Sequence, residues 1–177
     1  MTSPTKSALY VYNAENQLIR ATVQSGNNVS VEEYEYDYAG NRTAKSSEGE
    51  TTRYLLDING ELAYVLAEMD NDGTEKCYYT RGDELISQER NEKVSYYLTD
   101  GHGSVRALAN DSGKVTDKYV YDAFGNLISS TGSTKNDFLF AGEQFDPVTG
   151  LYYLRARYMD TSTGGFISMD SYSGSID

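Results

Sequence analysis

Tryptophan is absent from the chain, cysteine and histidine occur once each, and only two prolines interrupt it. A single cysteine, Cys77, excludes an intramolecular disulfide framework. One cysteine with one histidine, His102, does not make a Cys/His zinc set, and no metal or cofactor is expected. Cations are scarce as well: 15 Lys and Arg stand against 27 Asp and Glu, a formal charge of −12. Nucleic acids and anionic membranes both require clustered cations, so neither is expected as a partner. No apolar run approaches membrane-spanning length, and the opening MTSPTKS lacks the apolar stretch of a secretion signal. Aliphatic residues are also in short supply. With Tyr left out and Gly counted in, apolar residues make up roughly 37% of the 177-residue chain, against roughly 45–50% for ordinary globular proteins.

Tyrosine makes up the difference, with 17 copies. Its ring buries a large area while its hydroxyl can still reach water or a backbone carbonyl. The tyrosines recur in a pattern. YVYDAFGNL (119–127), YEYDYAGNR (34–42), YLLDINGEL (54–62) and YYLTDGHGSV (96–105) each place aromatic residues just before Asp-x-x-Gly, and YVYNAENQL (10–18) is a looser copy. The aspartates fall at 37, 57, 100 and 122, with a degenerate unit around YYTRGDELIS (78–87) filling the long gap. A period of 20–24 residues marks stacked supersecondary units.

Each unit holds two turns. Between the Asp-x-x-Gly sites lie QSGNN (24–28), SSEGE (46–50), MDNDGT (69–74), RNEK (90–93) and NDSG (110–113), all rich in residues that tolerate positive φ or cap their own backbone. Runs of 5–8 residues rich in Tyr, Val, Thr, Ile and Leu separate the turns and alternate as strands do. The expected fold is all-β, an antiparallel meander of repeated hairpins with about fourteen strands. So many strands cannot lie flat, and one closed barrel of that size would be too wide to fill, which favours an open, hollow, coiled wall. Within each unit the aspartate accepts a backbone N–H two residues on. The glycine closes the loop in the left-handed conformation. The turn residues on which the fold should depend are Asp37/Gly40, Asp57/Gly60, Asp100/Gly103 and Asp122/Gly125.

These tandem Tyr-Asp units resemble the YD repeats of the Rhs family. The stretch YDAFGNLISSTGSTKNDFLFAGEQFDPVTGLYYLRARYMDTSTGGFISMDSYSG (121–174) is similar to its repeat-associated core region, and YYLTDGHGSVRAL (96–108) is close to the family too. Members include polymorphic bacterial toxins, the C component of insecticidal toxin complexes and the animal teneurins. The resemblance implies a β-sheet spiralling into a shell, with residues 1–120 as repeat wall and 121–177 as a core plug truncated at its C-terminal end. It implies a structural function, enclosing a C-terminal toxin cargo that lies outside this chain and helping to deliver it, at a secreted or cell-surface location. The expected partners are that cargo or the remainder of the shell, and a second copy could pair through exposed sheet edges.

Two other functions are open at this point. One is an aspartate-dependent self-cleaving core: Asp170 matches the family's cleavage motif but is followed by Ser171 rather than proline, and further residues downstream would be needed. Asp160 is a possible carboxylate partner for it. The other is an adhesin-like module that binds glycans or Ca2+. EMDNDGTE (68–75) resembles the start of a Ca2+ loop, yet Tyr79 stands where the bidentate Glu belongs, so a hairpin turn is the simpler reading. In LYYLRARYMD (151–160), strand alternation would put Tyr153, Arg155 and Arg157 on one face. There the arginines could anchor the plug to the wall through acids such as Glu143 or Asp146.

Overall fold

A computed structural model describes residues 6–169. Twelve strands form one antiparallel sheet in strict sequence order. They are β1 (Lys6–Tyr12), β2 (Leu18–Ser25), β3 (Asn28–Tyr36), β4 (Arg42–Ser47), β5 (Glu50–Asp57) and β6 (Tyr64–Met69), followed by β7 (Glu75–Arg81), β8 (Leu85–Arg90), β9 (Lys93–Thr99), β10 (Val105–Ala109), β11 (Val115–Tyr121) and β12 (Leu127–Thr131). The chain leaves this long sheet at Gly132, passes through a short 3-10 turn at Phe140–Gly142, and builds a second, four-stranded sheet. Its strands are β13 (Gln144–Asp146), β14 (Leu151–Leu154), β15 (Arg157–Asp160) and β16 (Gly165–Phe166). The described residues thus contain sixteen strands rather than about fourteen, because the short sheet is made of strands only 2–4 residues long. The long sheet is open, with β1 and β12 as its edges. It runs on past residue 120, through β11 and β12, before the chain turns back.

A meander reverses direction at each turn, so every second turn lies on the same rim. The four repeat turns at Asp37, Asp57, Asp100 and Asp122 each connect an odd strand to the next even one and therefore share one rim, whereas QSGNN, SSEGE, MDNDGT, RNEK and NDSG share the other. Below the first rim, the ladder slips by one residue in each hairpin, at Ile19, Thr43, Leu66, Ile86, Arg106 and Ile128. A bulge of this kind bends its strand and increases the local twist. Repeated six times along one rim, it gives the sheet a curved inner face.

The short sheet packs against that inner face. One cluster joins Tyr54, Tyr79, Leu85, Tyr97, Leu108 and Tyr119 of the long sheet to Phe138, Leu139 and Tyr152. A second joins Leu18, Ala21 and Tyr34 to Leu151, Tyr153 and Tyr158. Tyrosine can fill this layer because its hydroxyls find acceptors: Tyr34 donates to Glu32, Tyr36 to the Leu18 carbonyl, Tyr121 to the Val105 carbonyl and Tyr152 to the Gly125 carbonyl. A buried hydroxyl without such a partner would cost about 1–3 kcal/mol.

Candidate functional site: the junction between the two sheets

The Asp-x-x-Gly turns are built alike at Asp37, Asp100 and Asp122. In each, one carboxylate oxygen accepts the backbone N–H groups two and four residues on, and the glycine N–H donates to the aspartate carbonyl. Gly40, Gly103 and Gly125 have φ of 87°, 79° and 86°. Asp70/Gly73 and Asn110/Gly113 repeat the construction on the opposite rim, and Asn13/Asn16 repeats it in part on the first, with Asn13 Oδ1 accepting the Gln17 N–H and the Asn16 N–H donating to the Asn13 carbonyl. Asp57 caps Asn59 in the same way, but Gly60 departs from the expectation and is not among the left-handed residues. A longer connection, reaching β6 only at Tyr64, relieves it of closing a tight loop.

These turns also form the rim on which the linker and short sheet sit. Val105 N–H donates to the Leu139 carbonyl and Ala141 N–H to Ser104 Oγ, while the Asn126 amide donates to the Thr161 carbonyl. A Cβ added at Gly125 would lie 2.8 Å from the Phe140 ring, so the turn residue doubles as a contact surface.

The junction is held by charge. Arg42, fully buried, places Nη1 2.6 Å from Asp146 Oδ2 and 3.2 Å from Tyr158 Oη, and Nη2 3.1 Å from Gln144 Oε1. Lys45 Nζ holds the other Asp146 oxygen at 2.8 Å. The Arg42 guanidinium lies 4.3 Å from the centroid of the Tyr153 ring, and the Arg42 backbone N–H donates to the Tyr153 hydroxyl. Burial alone would push the Asp146 carboxyl up, but Arg42 and Lys45 overcome this and hold it below the ordinary carboxylate range. Nearby Glu32, only 1% exposed, goes the other way: burial and then Asp146 raise it, against the opposing pull of Lys45, Tyr34 and Arg42.

The acid here, Asp146, is one of the two that the sequence suggested, but its arginine is Arg42 rather than Arg155 or Arg157. The long sheet supplies the arginine and the short sheet the acid. Arg155 and Arg157 do not share a strand face either. Leu154 pairs with Arg157, and Arg155 lies in the tight turn between β14 and β15 with φ of 58°. Arg155 donates to Glu143 at 2.6 Å and, through Nε, to the Ala63 carbonyl of the long sheet at 3.1 Å. Arg157 stacks 3.7 Å over the Phe166 ring. Asp160 caps Ser162, while Asp170 lies outside the described residues. His102 is exposed in its turn, and Cys77 is buried, its thiol pushed up to about 11 chiefly by burial.

Arg42 was missed, but a signal for it exists. The residue just before each repeated bulge is Leu18, Val65, Leu85, Val105 or Leu127, aliphatic in every hairpin except the one that carries Arg42. A charge at an aliphatic repeat position requires a buried partner.

Comparison with known proteins agrees with this architecture. A profile of the teneurin YD-shell family matches residues 1–176. The tRNA3(Ser)-specific nuclease WapA of Bacillus spizizenii is 39% identical over 171 residues, which is 94% of this chain and 7% of that protein. Salivary gland surface protein 1 of Aedes aegypti is 31% identical over 155 residues, 78% of this chain and 5% of that protein. This chain therefore spans only a small part of the relatives it matches. Among solved structures, the Photorhabdus luminescens Tc holotoxin pore superposes with a TM-score of 0.72 at 18% identity, over 94% of this chain and 9% of that one. At that identity the likeness is one of fold alone.

Proposed function

The chain belongs to the teneurin YD-shell family, and on that premise we propose that it is a stretch of shell wall with the plug seated at one rim. Its role is structural. It walls off a cargo domain carried elsewhere in a longer, secreted or cell-surface protein and helps deliver it. The observation that carries this reading is the fully buried Arg42–Asp146 pair, joined by the partly buried Lys45, which fixes the short sheet on the inner face of the long one. An ion pair so deep is strongly destabilising to break, so the plug is clamped rather than loosely docked. The activity in the name of the Bacillus relative belongs to a protein of which this chain matches 7%, and we assign that kind of activity to the cargo rather than to the wall.

The test is protease protection in the longer protein that contains this chain and its C-terminal continuation. The continuation should resist digestion while the shell is intact and become sensitive when Asp146→Asn loosens the plug. Equal digestion of the continuation with and without the shell would reject enclosure.

A further inference from the structure

Arg81, at the end of β7 on the turn rim, has no carboxylate within ion-pair distance, its guanidinium makes no hydrogen bond among the described residues, and its Nε is buried without a partner. Its guanidinium rests instead on two rings, 4.9 Å from the Tyr64 centroid and 5.0 Å from that of Phe138. The Arg155 guanidinium approaches the same Tyr64 ring at 5.1 Å. Both arginines, Tyr64 and Phe138 line a cavity of about 20 Å3 between the two sheets, together with Arg42, whose charge Asp146 already balances, and among the described residues Glu143 is the only carboxylate in its wall. Arg155 already claims Glu143. Two guanidinium groups and one carboxylate leave an excess positive charge in a largely buried place, and such a charge is unfavourable without a counter-charge. Burial, followed by the neighbouring Arg155, pulls the Arg81 guanidinium below its ordinary value, as an uncompensated cation requires.

We infer that this cavity is a halide site, in which one chloride ion neutralises Arg81 at the junction of the two sheets. About 20 Å3 accommodates one water-sized occupant, the size class of a monatomic anion. Ring faces repel anions, so the ion lies against the guanidinium N–H groups rather than over Tyr64 or Phe138.

Thermal unfolding of the full chain in sodium chloride and in sodium gluconate at matched ionic strength tests the assignment. The midpoint should be higher in chloride by about 2–4 °C, since an ion bound only by the folded state stabilises by mass action. Arg81→Met should abolish the difference. Equal midpoints, or a difference that survives Arg81→Met, would overturn the site. If Arg81→Met does not fold, chloride NMR line broadening decides. Wild type should broaden the signal, bromide should relieve the broadening, and Glu143→Gln, which removes the competing carboxylate, should increase it. No broadening, or none of these responses, rejects the site, and a larger midpoint shift with formate than with chloride rejects the halide assignment.

Discussion

Gly125 shows how much one residue position can carry. It closes a tight turn at φ of 86° and also leaves room for Phe140, whose ring would lie 2.8 Å from an added Cβ. Left-handed strain and the overlap act together, so Gly125→Ala should destabilise the chain by about 1–3 kcal/mol in denaturant unfolding. Gly60 occupies the same place in its repeat without positive φ, and its nearest neighbour, the Leu62 carbonyl, would lie 3.7 Å away. Gly60→Ala should stay within about 0.5 kcal/mol of wild type. Equal losses at the two sites would show that the glycines matter for a reason other than turn conformation and the Phe140 contact. The turn aspartates are readable in sequence because their partners lie two and four residues away. The Phe140 contact is not, since nothing local to YDAFGN refers to residue 140.

Among elements, the periodicity of Tyr, Val and Leu was enough to read the meander and the neighbour order of its twelve long strands. The docking of the short sheet was not readable in the same way, because Arg42 and Asp146 are 104 residues apart. Alternation also misled at LYYLRARYMD, where a two-residue turn at Arg155–Ala156 sits inside what reads as one continuous strand. The bulge position explains what the arginine does, since Arg42 replaces the aliphatic residue of the other hairpins. Asp146→Asn should therefore cost about 3–5 kcal/mol by leaving Arg42 buried without its counter-charge. Converting the pair to the repeat's own chemistry, Arg42→Leu with Asp146→Leu, should recover most of that loss. Strictly additive losses in this double-mutant cycle would dismiss the clamp.

For the molecule as a whole, buried acids at the junction set how stability responds to pH. Burial holds Glu32, Asp137 and Glu143 above the ordinary carboxylate range, with Asp146 adding to Glu32 and Glu68 to Asp137, and with Arg155 opposing at Glu143. The folded state takes up these protons more readily than the unfolded chain, so stability should rise as pH falls from neutral through their raised values. Asp146 and the turn carboxylates Asp37 and Asp122 are held low, and their contribution is lost at more acid pH, as it falls through their depressed folded values. The unfolding midpoint plotted against pH should therefore pass through a maximum on the acid side of neutral. Glu32→Gln should raise the midpoint at neutral pH and flatten the neutral limb of the curve. A midpoint that falls steadily from neutral downward would contradict this account.

Because the repeat turns occupy one rim of the long sheet and the short sheet rests on that rim, the architecture obeys a parity rule. A wall of this kind can lengthen only by whole down-and-up pairs of strands. Adding one strand would deliver the chain to the far rim, where none of the turns that cradle Leu139, Ala141 and Thr161 would be waiting, however stable the added strand was in itself.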